Sequence, residues 1–219
     1  LYDPVKAVRI EAARRMTEIA DPQLDEVQKT IFQASLTDYQ KSMEYSADFA
    51  FGRYNLGTLY VALNQPQKAV ESYRSAIKID NLFYPAKVNL AMLYNQTGKN
   101  DKAEILLREV TISFPEMYEV QYSLGLLLAE EKRYAEAANY LKQAAEGMPE
   151  RARIHYNLGL LLQHLKQDSD AETSLLKAKE LEPDNLDYLY VLADFYLKRR
   201  KLKKAKSIAK EMVARHPNQ

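Results

Sequence analysis

The sequence predicts an all-α solenoid of five helix–turn–helix repeats, each 34 residues long, preceded by two helices. Three observations predict it. The strings Tyr54–Gly57 (YNLG), Val88–Ala91 (VNLA), Tyr122–Gly125 (YSLG), Tyr156–Gly159 (YNLG) and Tyr190–Ala193 (YVLA) recur at intervals of 34 without a slip. Within each block apolar residues fall at spacings of three and four in two stretches, the period of an amphipathic helix. A short polar break separates the stretches, as at Asn64-Gln65-Pro66 and Thr97-Gly98-Lys99-Asn100. A fixed period of this length marks a repeat architecture in which each unit buries its apolar face on its neighbours.

The first expected helix lies in residues 1–20. Asp3 is placed as its N-cap and Pro4 in its first turn, with Val5, Val8, Ala12, Met16 and Ile19 on one face. Asp21-Pro22 breaks it. Residues 21–49 hold a second, longer helix, from about Leu24 to about Ser46, with Leu24, Val27, Ile31, Leu36, Tyr39 and Met43 on one face. The five repeats then occupy 50–83, 84–117, 118–151, 152–185 and 186–219.

Each repeat supplies the same columns. Leu56, Leu90, Leu124, Leu158 and Leu192 are followed by a small residue: Gly57, Ala91, Gly125, Gly159, Ala193. Three further on stand Tyr60, Tyr94, Leu128, Leu162 and Tyr196. Ala69, Ala103, Ala137, Ala171 and Ala205 begin the second helix's seam, and four residues later come Tyr73, Leu107, Leu141, Leu175 and Ala209. The small and alanine columns let two helix backbones approach closely. Pro115, Pro149, Pro183 and Pro217 close four blocks, since proline cannot continue a helix, and Asn81 closes the first.

Composition excludes several kinds of chemistry. With 31 basic and 30 acidic side chains the charge is balanced, which argues against phosphate neutralisation as the main task. There is no cysteine, so these residues hold no disulfide, thiolate metal site, cysteine nucleophile or attached haem. No apolar run approaches the ~20 residues of a membrane span. The first residue is Leu, and a fragment of a longer protein is expected. His155 and His164 are nine residues apart on one expected helix and face opposite ways, so they cannot share a metal. Adjacent carboxylates such as Glu130-Glu131 diverge on a helix. Phosphate-loop, dinucleotide and G-x-S-x-G patterns are absent, so no enzyme activity, metal or cofactor is expected of this chain.

The columns resemble the tetratricopeptide repeat over residues 50–219. The family's usual Trp near the start of the first helix is replaced by Arg53, Lys87, Gln121, His155 and Leu189. The resemblance implies a right-handed superhelix whose first helices line a concave face, and a protein or peptide as partner. The residues implied on that face are Asn55, Asn89 and Asn157, with Ser123 and Val191 in the same column, beside Tyr54, Tyr122 and Tyr156. Asn carboxamides can both donate to and accept from an extended backbone. Thr58, Met92 and Leu126, with Leu160 and Asp194 in the same column, would give selectivity. The alternative is that the Asn side chains bridge adjacent repeats and the Tyr rings pack between helices. A chaperone-type carboxylate clamp does not fit: of Tyr54, Thr58, Asn89, Glu119 and Ser123 only Asn89 suits it.

The run from Asp3 to Arg14 looks like part of a HEAT-type repeat. Followed by these repeats, it resembles the C-terminal region of bacterial multihaem cytochromes c. That resemblance implies a periplasmic docking domain for electron transfer, with haem only upstream of Leu1; without it the cytoplasm is expected. Lys198, Arg199, Arg200, Lys201, Lys203 and Lys204 form a basic run, read either as a dock for an acidic partner or as a polar cap. Homo-oligomerisation through an exposed end is a further possibility.

Overall fold

The computed structural model describes residues 1–17, 19 and 23–215. The chain divides into two compact units, Leu1–Leu106 and Leu107–Gln219. All the regular structure among the described residues is helical. The first unit holds α1 (Lys6–Met16), α2 (Glu26–Glu44), α3 (Ala50–Ala62), α4 (Pro66–Ile79) and α5 (Tyr84–Gln96); α6 (Asn100–Ser113) crosses the division in sequence. The second holds α7 (Tyr118–Glu130), α8 (Tyr134–Gly147), α9 (Ala152–His164), α10 (Asp168–Leu181), α11 (Leu186–Lys198) and α12 (Leu202–Arg215). Helices adjacent in sequence pack on one another, α3 on α4 and α4 on α5 in the first unit, α7 through α12 in series in the second.

The two leading helices form, the first with a different seam from that expected and the second with the expected seam at Leu36, Tyr39 and Met43. Asp3 does not cap α1: its carboxylate accepts from the Val5 N–H at 2.8 Å, turning the chain before the helix begins at Lys6. Ala13 is the residue that α1 buries, while Val5, Val8 and Ile19 are about half exposed. Val8 lies 140° from Ala13 on a helical wheel, and Val5 and Ile19 fall outside the helix. The expected break at Asp21-Pro22 lies outside the described residues. In α2, Asp25 and Gln28 close a reciprocal capping box. Leu36 packs with Ala13 and Leu59, and Phe32, Tyr39 and Met43 lie against them. Val27, expected on this face, is exposed because nine residues place it opposite Leu36.

The repeat columns explain the packing inside each hairpin. The Leu column is 0–5% exposed in all five repeats. Each glycine of the small column meets the residue sixteen places on. A Cβ on Gly57 would stand 2.5 Å from the Tyr73 ring, one on Gly125 2.9 Å from Leu141, and one on Gly159 2.7 Å from Leu175. The large residue of the second helix therefore sits in the notch the glycine leaves. In the fifth repeat Ile208 is buried and Ala209, expected in this column, is exposed. Ile208 supplies the apolar bulk that Ala209 lacks.

The turn inside every repeat is made by a residue at positive φ in one column: Asn64 (54°), Gly98 (70°), Lys132 (63°), Lys166 (60°) and Arg200 (54°). The next N–H closes back on the carbonyl five residues earlier, Gln65 on Tyr60 at 2.8 Å and Arg133 on Leu128 at 2.9 Å, which ends the first helix in a Schellman motif. Lys and Arg adopt this conformation at a cost that Gly does not bear. Lys132→Gly and Lys166→Gly are each expected to stabilise the protein by about 0.5–1 kcal/mol, measured as a higher guanidinium midpoint. Unchanged or lower midpoints would contradict this account of the turns.

The column in which the family usually has Trp has its own use here. Arg53 donates to the Ala47 carbonyl at 2.8 Å and Gln121 to the Pro115 carbonyl at 2.6 Å, and the His155 ring nitrogen lies 2.8 Å from the Pro149 carbonyl. Each partner is six residues back, in the loop before the helix. A side chain thus satisfies a carbonyl that no helix hydrogen bond reaches.

Candidate functional site

In the first unit the candidate residues converge around Tyr73, whose ring is 1% exposed. Asn89 on α5 donates to the hydroxyls of Tyr54 at 3.3 Å and Tyr73 at 3.4 Å. The Thr58 hydroxyl lies 3.3 Å from that of Tyr73 and also donates to the Tyr54 carbonyl. The Tyr54 ring stacks obliquely on Tyr73 at 5.9 Å and edge-on to Phe83 at 5.6 Å. Burial pushes the Tyr73 phenol above its ordinary pKa, opposed by the bonds from Thr58 and Asn89. Asn89 is therefore engaged between repeats. Asn55 is exposed, with no partner for its carboxamide among the described residues. Thr58 and Met92 are exposed beside it.

The second unit repeats the pairing. Asn157 on α9 donates to the Tyr122 hydroxyl on α7 at 2.8 Å, the same 35-residue separation as Asn89 from Tyr54. Arg151 lies over the Tyr122 ring at 5.3 Å and pairs with Glu119. Tyr156 packs on Tyr188 at 4.9 Å, under Arg153. Leu126, Ala129, Asn157, Leu160 and Leu161 of the two first helices, with Tyr134 and Leu141 of α8, wall an apolar cavity of about 270 Å³. His164 also lines it, edge-on to Tyr134 at 4.1 Å. Leu160 is 36% exposed. The cavity can accept an aliphatic side chain next to a fixed carboxamide.

The sequence pointed to Leu126 and Leu160 but not to Tyr134, which joins the cavity wall from α8 through the hairpin fold, nor to His164, one turn after Leu160 on α9. His155 and His164 bond and stack separately on α9. Among the described residues no group of three or more His, Asp or Glu is arranged to hold a metal ion, and no helix is long and apolar enough to cross a membrane.

The basic run is largely engaged with α10 and its own helix. Arg199 forks onto Asp168 at 2.6 and 2.9 Å, Lys201 and Lys204 reach Glu172 at 2.5 and 2.6 Å, and Lys198 pairs with Asp194 at 2.7 Å. Arg200 occupies the positive-φ turn and Lys203 is exposed. These pairs tie the last repeat to the one before it. The bonds from Lys201 and then Lys204 lower the Glu172 pKa from 4.5 to about 2. A carboxylate depressed in the folded state stabilises it above its unfolded pKa, and that contribution fades as pH falls from 4.5 towards 2. Glu172→Gln is expected to cost about 1 kcal/mol at pH 7 after solvent screening, the difference from the natural chain closing by pH ~2 in urea titrations. A difference independent of pH would exclude the ion pairs as its cause.

Family models of the tetratricopeptide repeat match residues 52–81, 88–148 and 128–188, together more than half of the chain. No curated protein matches it. Solved structures with the same fold include a MamA RS-1 double mutant, at 19% identity and TM-score 0.72 over 78% of this chain and 96% of that one. They also include YrrB, described as a TPR protein with an unusual peptide-binding site, at 19% identity and TM-score 0.71 over 82% of this chain and 92% of that one. PilF of Pseudomonas aeruginosa is 24% identical, with TM-score 0.63, over 79% of this chain and 78% of that one. At these identities the likeness shows the α-solenoid fold. The resemblance to multihaem cytochromes c gains no support from these likenesses.

Proposed function

Since the chain belongs to the tetratricopeptide-repeat family, we propose that it is a non-catalytic scaffold holding an extended segment of another polypeptide against the first helices of its repeats. The observation that carries this reading is the apolar cavity between Leu126 and Leu160 beside the Asn157 carboxamide. Recognition sites combine apolar walls with a few fixed polar groups. Here Tyr122 holds Asn157 by its donor end, so its carbonyl is presented in one orientation at little entropic cost. The cavity selects an aliphatic side chain, and the neighbouring Glu119–Arg151 pair leaves no net charge to demand an acidic or basic one. In the first unit the exposed Asn55, Thr58 and Met92 supply a second, more polar contact area. YrrB, of the same fold, carries a peptide-binding site, which favours a partner of the same class.

Selection from a random peptide library displayed on phage tests the reading. The chain is expected to enrich extended sequences with a recurrent Leu, Ile, Val or Met. A double variant, Leu126→Asp with Leu160→Asp, should enrich none of them. Identical enrichment on both would remove this face from the account.

A further inference from the structure

In the first unit a groove opens between the second helices α4 and α6. It encloses about 260 Å³, room for an aliphatic side chain, and is lined by Ile77 of α4, Ile105 and Leu106 of α6 and the buried Tyr94 of α5. Ile77 and Leu106 are half-buried, and Ile105 is 59% exposed.

Two exposed cations line it as well, Arg74 and Lys102. Arg74 donates from Nε to the Tyr94 hydroxyl at 3.0 Å, with its guanidinium 5.9 Å from the centre of that ring. The Lys102 Nζ stands 5.9 Å from the same centre. Neither cation meets a carboxylate within ion-pair distance among the described residues. The bond to Tyr94 holds the guanidinium in place and leaves its two terminal nitrogens for an acceptor.

The same two places recur at every junction of second helices, 34 residues on each time. Arg108 and Glu136 pair there at 2.8 Å, and Lys142 and Asp170 at 3.7 Å. At the last junction the places hold Leu176 and Lys204, and Lys204 is held by Glu172 at 2.6 Å. Only at Arg74 and Lys102 are both places basic. Three more places change with that pair. Ile77, Ile105 and Leu106 stand where the corresponding cavity of the second unit has Thr111, Asn139 and Tyr140. That cavity is polar and carries its own ion pair, whereas the groove at Arg74 is apolar and lacks the carboxylate.

We propose that this groove takes an acidic segment of a partner polypeptide, a Glu or Asp carboxylate accepting from Arg74 and Lys102 and a neighbouring Leu, Ile or Val lying on Ile77, Ile105 and Leu106. The carboxylate supplies what Glu136 supplies one repeat later. An apolar ligand would leave both cations unpaired, and a cationic one would be repelled by both. With Ile105 largely exposed the groove is open on one side, so a free small acid would bury too little surface to offset the freedom it loses. A polypeptide draws the rest of its affinity from contacts outside the groove. The site is separate from the first-helix face and stands or falls without it.

The test is methyl NMR of the whole chain, read at Ile77 and Ile105, during titration at low ionic strength with the blocked peptide acetyl-Leu-Glu-Ile-Leu-amide. Saturable shifts are expected, at a dissociation constant on the order of millimolar. The analogue with Gln in place of Glu should bind at least ~5-fold more weakly, the worth of two exposed charge contacts. Acetyl-Ala-Glu-Ala-Ala-amide should also bind more weakly, for want of apolar contact. Lys102→Glu, which builds the pair found at Arg108 and Glu136, should keep the fold and abolish the shifts. Should that variant not fold, the comparison of peptides on the natural chain still decides. Leu126→Asp with Leu160→Asp should keep the shifts, which separates a failure of this site from a failure of the first-helix face. Equal affinity for the Gln analogue would overturn the proposal, and so would no shift at Ile77 and Ile105 with any of the peptides. Hexanoate binding as tightly as the Glu peptide would overturn the polypeptide source.

Discussion

Gly57→Val is expected to lower the stability of the chain by about 2–4 kcal/mol. The Tyr73 ring stands 2.5 Å from where the new Cβ would be, and that ring is 1% exposed, so it has nowhere to turn. Moving it also breaks the contact of its hydroxyl with Thr58 and the bond it accepts from Asn89. The Val variant should therefore unfold at lower denaturant. A spectroscopic probe of the Tyr54–Tyr73 pair should change even under native conditions. Gly98→Ala makes the contrast. Nothing lies within 4 Å of that position, and the cost is confined to the positive φ of 70°, about 1 kcal/mol. If the two substitutions cost the same, the notch that Gly57 provides is not what seats Tyr73.

The second large effect is on binding. For any peptide selected by the chain, Leu126→Asp and Leu160→Asp together are expected to reduce affinity by at least ~30-fold, because an aliphatic side chain would be docked against unpaired carboxylates. Folding should change little. Leu160 is 36% exposed and Leu126 is only half-buried, so neither supports the core of the hairpin. Lys203→Glu, on the exposed surface of the last helix, is the matched control and should leave affinity within ~2-fold at moderate salt. Equal losses in the double variant and the control would mean that charge, and not the Leu126–Leu160 cavity, sets affinity.

The period of 34 made the hairpins legible, because packing in a repeat is local and each column meets the same neighbour every time. The Leu, small and alanine columns were legible for that reason. The leading helices were less so: with one copy of each, several helical faces matched the apolar spacing, and Ala13 and Phe32 won over Val8 and Val27 through contacts with other helices. The turns were legible at Asn64 and Gly98, but the same column holds Lys132, Lys166 and Arg200 in the later repeats, and such residues carry no signal of positive φ by composition. Of the candidate site, the residues were visible but their engagement was not. Asn89 and Asn157 stand in the column expected to grip a partner, and each donates to a Tyr of the preceding repeat. That bond joins residues 35 apart, so it follows from the geometry of stacked hairpins and not from either residue's surroundings in sequence. Asn55, exposed in the first repeat, is the member of the column best placed for a clean functional substitution.

A polypeptide bound on the first helices of the repeats would leave its mark on their methyl groups. Methyl NMR of the Leu and Met side chains in complex with a selected peptide tests it most directly. The largest shifts are expected at Leu126 and Leu160, with Met92 responding if the peptide also reaches the first unit, and intermolecular contacts from those methyls to the peptide's aliphatic side chain. Shifts and contacts confined to methyls of the second helices, such as Leu176 of α10 and Leu202 of α12, would contradict it.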